Sequence, residues 1–428
     1  MTANKRLRTA ALAVTLTLGV SLAGCGDGAE SSGVTEIRYS ARLTGVGDDA
    51  DAAIVEAFNK KFEGRYRVTR TAIDDETYKT KQITQLTGGD APDVFYAWAG
   101  GRAKDVIDAG FAAELDGYYE QYGWTKRLNT LGQAQATFNG KKYFAPTMMS
   151  SSAIWYQPDI FSKKGVTVPT TMPELEAAAA KLKAGGVAPF LLSNKEKWEA
   201  QFYWTQLVVA ENGPAVYNDL VAGKGKWTDA PFVAAWQKLA DWNAAGYYYG
   251  SPNSIGYADS TIPWVKGEGA MNVQGNWYPS TIAGSDKAAA EKMDYFVFPA
   301  AAGKQSTLEI YAENTLMINA KSDQRRRDAA AAFVDYYVAA EAQTTLGKAG
   351  RLFPANVEVD LTTLDLSKVM LKLADAMKSQ TSDTFLHVDL AFTAEVANEF
   401  LDATQGVVNK TVTPAEAAKR VQAVADRQ

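Results

Sequence analysis

The sequence lacks most of the residues that catalytic and metal-binding sites use. It contains one cysteine, Cys25, and one histidine, His387, in 428 residues. With a single cysteine there is no internal disulfide bond, so the fold must be stabilised by an ordinary hydrophobic core. A catalytic triad would have to rest on His387, in the mixed stretch TFLHVDLAF, and we expect this residue to be structural.

Several short motifs are also absent. The sequence has no HExxH, no paired-cysteine metal motif, no GxSxG and no Walker-type phosphate loop, which removes the usual supports for a metalloenzyme, a hydrolase or a nucleotide-binding protein. The net charge is −5, and it becomes −8 without the basic residues Lys5, Arg6 and Arg8. Nucleic acids and acidic lipids bind to basic patches, so neither is an expected partner.

The cysteine follows a short apolar run. Residues 10–23 (AALAVTLTLGVSLA) are too few for a membrane-spanning helix, which needs about 20 apolar residues. The LAG before Cys25 matches the lipobox of bacterial lipoproteins, in which the cysteine receives a diacylglycerol. A buried apolar cysteine is the alternative, but the Gly, Ser and acidic neighbours disfavour it. We predict a signal peptide at residues 1–24, a lipid anchor at Cys25, a flexible linker at residues 25–33, and a location outside the cytoplasm at the cell membrane.

Helical and strand patterns alternate in the next part of the chain. Residues 35–43 and 66–73 alternate like strands, and residues 51–62 between them have helical spacing, which predicts a parallel βαβ unit. A helix in YKTKQITQLTGG and a strand in PDVFYAW continue this α/β pattern. Ligands of such open sheets bind beyond the carboxyl ends of the strands, so we expect residues 42–47 and 96–102 on one rim.

The length of the chain predicts two lobes, because a single core rarely grows over about 300 residues. Residues 140–161 contain an extended apolar stretch with three serines, Ser150 to Ser152, and we expect the chain to cross between lobes there. These serines either donate to a ligand or solvate a hinge, and the sequence does not separate the two roles. A second extended stretch, residues 296–299, is a candidate for the return crossing.

Four segments between residues 88 and 354 resemble, in order and spacing, the extracellular solute-binding lipoproteins of carbohydrate ABC transporters. They are GGDAPDVF, GKKYFAP…IWYQPDIFSKKGVTVPTTMPELEAAAAKL, WVKGEGAMNVQGNWYP and ENTLMINAKS…RDAAAAFVDYYVAAEAQTTLGKAGRLFP. The resemblance implies an α/β, two-lobed periplasmic-binding-protein fold, type II-like, that closes on a sugar; it adds no catalytic residue and no cofactor. The predicted N-terminal lobe comprises residues 34–147 and 298–350, and the C-terminal lobe residues 148–297 and 351–428.

Aromatic and planar polar side chains supply what a sugar site needs. A pyranose ring presents flat C–H faces and a rim of hydroxyls, so its site needs aromatic faces and planar hydrogen-bonding groups. Candidates at strand ends and turns are Tyr96, Trp98, Trp198, Gln274, Asn276 and Trp277. We expect Gly275 to let the backbone approach the ligand. The alternative for each aromatic residue is core packing, as we expect for Trp204, Trp236 and Trp242.

Charged residues in turn-like or strand-end segments are candidates for bidentate hydrogen bonds to neighbouring hydroxyls. They are Arg42, Asp259, Glu313 and Arg351. The alternative for each is a solvated surface side chain or a salt bridge between lobes.

We therefore predict a monomeric binding protein that takes a carbohydrate, an oligosaccharide rather than a monosaccharide, between two lobes and delivers it to the permease subunits of an ABC importer by hinge closure. Two alternatives remain open. A carbohydrate-active surface lipoprotein is one, because a glycosidase needs only two carboxylates about 5–9 Å apart. The same fold binding a peptide or amino acid is the other, whereas a metal is disfavoured by the shortage of His and Cys.

Overall fold

The structure, a computed structural model, describes residues 33–43, 47–350, 353–380 and 384–428. The predicted signal peptide, Cys25 and Arg351 lie outside the described residues. In the described part of the chain the strands are β1 (Thr35–Leu43), β2 (Tyr66–Asp74), β3 (Val94–Ala97), β4 (Thr137–Phe138), β5 (Lys141–Lys142), β6 (Ala145–Tyr156), β7 (Ala188–Phe190), β8 (Gly269–Gly275), β9 (Asp294–Phe296), β10 (Glu309–Ile318) and β11 (Phe353–Pro354).

Helices surround these strands. They are α1 (Asp48–Lys61), α2 (Asp75–Thr87), α3 (Gly101–Asp108), α4 (Asp116–Gln121), α5 (Trp124–Arg127), α6 (Thr130–Gln135), α7 (Pro158–Lys164), α8 (Met172–Ala184), α9 (Ala200–Asn212), α10 (Pro214–Val221), α11 (Ala230–Ala244), α12 (Thr261–Val265), α13 (Tyr278–Ser285), α14 (Lys287–Glu291), α15 (Gln324–Tyr337), α16 (Ala340–Lys348), α17 (Lys368–Ser379), α18 (Val388–Ala391), α19 (Ala394–Val408) and α20 (Pro414–Ala425). No helix in the described ranges is long and apolar enough to cross a membrane.

One mixed sheet organises the described residues. Its neighbouring strands follow the order β2-β1-β3-β10-β6-β8-β7, and β9 and β11 also pair with β6. β1 runs parallel to β2 and to β3, which confirms the predicted βαβ unit. β10 is antiparallel to both β3 and β6, and β6 is antiparallel to β8, so the long strands β6 and β10 lie between two sets of parallel strands.

β6 is the extended stretch that we expected to cross the molecule. Its residues 145–152 pair with β10 and its residues 152–156 pair with β8, and all of its positions are buried. Ser150, Ser151 and Ser152 are therefore enclosed, so solvation of a hinge does not describe them. The long strand that runs back beside β6 is β10, whereas residue 296 only ends the short strand β9.

The polar character of β10 explains why its sequence did not identify it as a strand. The segment EIYAENTLMI carries acidic and amide residues, and all of its positions are buried or nearly so. These groups find partners inside the protein; for example, Glu309 accepts a hydrogen bond from the backbone N–H of His387 at 2.6 Å, and Asn314 accepts one from Arg42 at 3.1 Å. A buried polar group with its own hydrogen bond is tolerated, so an alternating apolar pattern is not required.

The apolar core divides into separate clusters. One surrounds α9, α11, α19 and α20 and contains Trp204, Trp236 and Trp242, which confirms that these tryptophans are core residues. Another lies around β1, α1 and α15 and contains Phe58 and Phe333. The C-terminal helices thus pack against the middle of the chain, whereas the first strands pack against α15.

Candidate functional site

A cavity of about 430 Å³ lies at the carboxyl edge of the parallel strands β1, β2 and β3. It is lined there by Arg42 near the end of β1, by Asp75 at the start of α2, and by Trp98, which follows β3 directly. The carboxyl ends of parallel strands meet at one edge of a sheet, so these residues converge despite their separation in sequence. Arg42 and Trp98 are therefore on one rim, as predicted.

The guanidinium of Arg42 is held by several elements. Nη1 donates to Asp75 at 3.1 Å, and Nη2 donates to Glu313 at 3.2 Å and to Asn314 at 3.1 Å. The same group lies over the ring of Tyr96, 4.6 Å from its centroid, which is a favourable cation–π distance. Burial by itself lowers the pKa of Arg42, but contact with Tyr96 and two carboxylates raises it above its ordinary value. The side chain therefore stays charged.

Glu313 and Asn314 enter the cavity from β10. The pairing of β10 with β6 is irregular here, with register shifts on both sides of Asn314. Such an irregularity breaks the alternation of side chains along a strand, which lets two consecutive residues line the cavity. The hydroxyl of Tyr96 donates to the Glu313 carbonyl at 2.8 Å and holds the backbone at this point.

Aromatic rings line a further part of the cavity. We call this set the aromatic wall; its members are Trp198, Phe202, Tyr257 and Trp277. The ring centroid of Trp198 lies 5.1 Å from that of Tyr257, 6.0 Å from Phe202 and 6.5 Å from Trp277. A tight turn precedes Trp198. In this turn the backbone N–H of Lys197 donates to the Asn194 carbonyl at 3.1 Å, and Lys197 adopts a φ of 70°.

Gly275 makes room for the aromatic wall. A β-carbon at position 275 would lie 2.1 Å from a ring carbon of Trp277, far inside van der Waals contact. The indole thus packs directly against the backbone of the strand end. We expected Gly275 to let a ligand approach the backbone. In the structure it is the ring of Trp277 that approaches the backbone at this position.

The segment around α18 completes the cavity with His387 and Asp389. Glu309 accepts a hydrogen bond from the backbone N–H of His387 and contacts its Nδ1, both at 2.6 Å. Burial lowers the pKa of His387, but the nearby Glu309 carboxylate raises it by a larger amount. The pKa of His387 therefore lies above its ordinary value. Asp389 accepts a hydrogen bond from Arg102 Nε at 2.8 Å. Burial raises the pKa of Asp389, but Arg102 lowers it more, so the carboxylate stays ionised.

Half of the predicted binding residues line this cavity. They are Arg42, Trp98, Trp198, Trp277 and Glu313. Tyr96 is not part of the lining. Its ring packs against that of Trp98, with the two centroids 4.7 Å apart.

The other predicted residues lie elsewhere. Gln274 and Asn276 are fully buried, and Gln274 donates to Glu199 at 2.8 Å. Asp259 is exposed and does not line the cavity, and Arg351 lies outside the described residues. Among the described residues no group of three or more His, Cys, Asp or Glu side chains could hold a metal ion.

A family model described as bacterial extracellular solute-binding protein matches residues 41–344. The chain belongs to this family. The matched residues run from the end of β1 to α16, so they include most of the cavity lining as well as β6 and β10.

This solute-binding protein is also similar to individual relatives. It is 25% identical over 377 residues to an "Uncharacterized ABC transporter extracellular-binding protein" of Pyrococcus horikoshii, covering 84% of this chain and 82% of the relative. It is 24% identical over 324 residues to a "Probable sugar-binding periplasmic protein" of Mesorhizobium japonicum, covering 73% and 75%. A solved structure described as a chitin oligosaccharide binding protein has a TM-score of 0.83 and 21% identity, covering 92% of this chain and 98% of that one. The predicted periplasmic-binding-protein fold is confirmed.

Several cavity residues of this solute-binding protein were not singled out in the sequence. Asp75 and Lys79 lie just beyond β2, so the strand-end argument that identified Arg42 applies to them as well. Phe202 and Tyr257 are aromatic residues without a distinctive neighbourhood in the sequence. No sequence pattern pointed to Asp389 as a cavity residue, because it lies in a short helix, α18, far along the chain.

Proposed function

We propose that this protein binds a carbohydrate of oligosaccharide size between two lobes and delivers it to the permease subunits of an ABC importer. The lobes comprise residues 34–147 with 298–350, and residues 148–297 with 351–428. The chain acts as a monomer, without a cofactor, outside the cytoplasm. It is held at the membrane by a lipid on Cys25 that follows cleavage of a signal peptide at residues 1–24.

One observation carries the carbohydrate assignment. The rings of the aromatic wall and the polar side chains of Arg42, Glu313 and Asn314 line the same cavity. Sugar rings stack their C–H faces on aromatic side chains and place their hydroxyls against charged and amide groups, so this pairing of surfaces matches their chemistry. The cavity of about 430 Å³ also falls in the range of small-molecule sites, about 300–1,000 Å³.

The relatives support the same assignment. The similar protein of Mesorhizobium japonicum is described as sugar-binding, and the similar solved structure is described as binding a chitin oligosaccharide. The number of rings in the aromatic wall favours an oligosaccharide, because separate rings can stack on separate sugar units.

Two carboxyl groups of the cavity, those of Asp75 and Asp389, are unsuited to act as the general acid of a glycosidase, which favours binding over catalysis by them. A glycosidase needs a protonated acid in the cavity, and such an acid has a raised pKa. Burial raises the pKa of Glu199 to about 8, but this side chain is enclosed behind Gln274 and does not line the cavity. Asp75 and Asp389 line the cavity with lowered pKa values, because the arginines beside them offset the effect of burial.

The first experiment is a thermal-shift screen of the purified protein against monosaccharides, oligosaccharides, amino acids and short peptides, with each mixture then checked for cleavage. Stabilisation by saccharides that stay intact is the expected result. Cleavage would favour the glycosidase, and stabilisation by amino acids or peptides alone would overturn the carbohydrate assignment.

Hinge closure is tested by solution scattering. A saturating saccharide is expected to lower the radius of gyration, since a ligand that contacts both lobes shifts the population toward the closed state. The forward scattering also reports the mass and so tests the monomer. An unchanged curve at saturation would contradict closure.

The lipid anchor is tested by replacing Cys25 with Ser and fractionating the cells. The wild-type protein is expected in the membrane fraction at its processed size, and C25S is expected either outside that fraction or in it at the larger, unprocessed size. Membrane association of C25S at the processed size would contradict the anchor.

A further inference from the structure

One carboxylate of the cavity lining has no basic partner among the described residues. The carboxylates that line it are Asp75, Glu196, Glu313 and Asp389. Arg42 pairs with Asp75 and with Glu313, and Lys79 pairs with Asp75 at 2.9 Å. Arg102, just outside the lining, pairs with Asp389. Within the described ranges, Glu196 is the lining carboxylate for which no basic side chain provides an ion pair.

Glu196 lies beside the aromatic wall. Its Oε2 accepts a hydrogen bond from the backbone N–H of Tyr257 at 3.0 Å. The ring of Tyr257 lies 5.1 Å from that of Trp198, which is two residues along the chain from Glu196. The carboxylate of Glu196 therefore lines the cavity together with the phenol of Tyr257 and the indole of Trp198.

This combination is suited to a cation. An ammonium group is attracted both to a carboxylate and to the face of an aromatic ring, and tryptophan is the strongest partner of this kind. A neutral ligand that filled the cavity would remove water from Glu196 and leave its charge without a counterion, which is unfavourable. A ligand that brings its own positive charge avoids that cost.

We propose that the saccharide bound here carries a protonated amino group, and that Glu196, with the rings of Trp198 and Tyr257, selects it over the neutral analogue. The inference rests on the proposed carbohydrate function and narrows its substrate class to amino sugars. Glu196 is then the specificity-determining residue of the site, whereas Arg42 and Glu313 hold hydroxyls that amino and neutral sugars share.

The test is titration calorimetry with matched sets of saccharides. The probes are glucose, glucosamine, N-acetylglucosamine and glucuronate, together with the β-1,4-linked trimers of the first three. The expected result is that the amino member of a set binds at least about tenfold more tightly than its neutral members, as for a charge-assisted contact. The preference should shrink at high salt and at a pH above the pKa of the amine.

Two variants separate the inference from a general effect of charge. Glu196→Gln keeps the shape of the side chain and is expected to reduce the preference to less than about threefold. Glu56→Gln removes one negative charge from an exposed position on α1 and should leave the preference unchanged. A thermal melt of each variant checks that it is folded at the temperature of the titration.

The outcomes are distinguishable. Tight binding of neutral or N-acetylated saccharides with no preference for the amine, or a preference that survives E196Q, overturns the inference and leaves the carbohydrate function standing. Tighter binding of glucuronate overturns it too, since an anion would then be favoured. Absence of binding by every saccharide, both in this titration and in the thermal-shift panel, overturns both.

Discussion

The indole of Trp277 occupies the space in which any residue larger than glycine at position 275 would place its β-carbon, with ring carbons 2.1, 2.2 and 2.4 Å from that point. Separations this short cannot persist, so Gly275→Ala must displace the ring. We expect this substitution to weaken ligand binding and to lower the free energy of unfolding by about 1–3 kcal/mol, the usual effect of overpacking. Calorimetry and urea unfolding measure the two effects.

Gly284→Ala is the matched control for this substitution. Gly284 lies in α13, and no neighbouring atom comes within 4 Å of the point that a β-carbon would occupy there, so an alanine should be neutral or slightly stabilising. Unchanged binding by G275A would show that the position of Trp277 does not matter to the ligand.

Truncation of Trp277 itself tests the aromatic wall. Trp277→Ala is expected to weaken saccharide binding by about 1–3 kcal/mol, because a stacking face is lost. Tyr249→Ala, at a tyrosine that does not line the cavity, should leave the affinity unchanged. In the W277A background the addition of G275A should cost little more, since the clash is gone; additive effects of the two substitutions would argue against a direct conflict between them.

The part of the site that the sequence predicted is the part built by local connections. Arg42 and Trp98 follow strands of one parallel unit, and the geometry of such a unit brings strand ends together. Trp198 and Trp277 were accessible to the same reasoning, because each follows a recognisable turn or strand end. These inferences need only the short-range pattern of the chain.

The remaining positions depend on packing that no short-range pattern records. Every residue of β8 is buried, so alternation along the strand could not show that Gln274 points to Glu199 and away from the cavity. Asp259 lies in a short 3₁₀ helix (Ala258–Ser260), two positions after the cavity residue Tyr257, and is exposed to solvent instead. His387 joins the site through Glu309, seventy-eight positions earlier.

The buried ion pair of Arg102 and Asp389 joins α3 to α18, and both side chains are 8% exposed. Arg102→Met leaves the carboxylate buried without its partner, and we expect a loss of about 3–5 kcal/mol in the free energy of unfolding. Asp108→Asn breaks the exposed pair of Lys104 and Asp108 on the same helix and should cost less than about 1 kcal/mol. Similar losses for the two variants in urea unfolding would contradict the structural importance of the buried pair.

The buried carboxyl group of Glu199 should make the free energy of unfolding depend on pH. Burial raises the pKa of its carboxyl group to about 8, although hydrogen bonds from Ser193 and Gln274 act in the opposite direction. The unfolded chain loses this proton near its ordinary pKa of 4.5. Between the two values the folded state holds a proton that the unfolded state has released, so the free energy of unfolding falls as the pH rises, by at most about 1.4 kcal/mol per pH unit for this group.

Glu199→Gln removes this contribution, because the amide resembles the protonated acid and does not titrate. The stability of the variant relative to the wild type should therefore be constant below pH 4.5 and should increase as the pH rises toward 8. Urea unfolding at half-unit intervals from pH 4 to 9 measures the difference at each pH, and Glu56→Gln, at an exposed position, serves as the control with an unchanged slope. A difference between E199Q and wild type that does not vary with pH would mean that Glu199 is already ionised in the folded protein, with the Ser193 and Gln274 hydrogen bonds sufficient to hold its charge in the core.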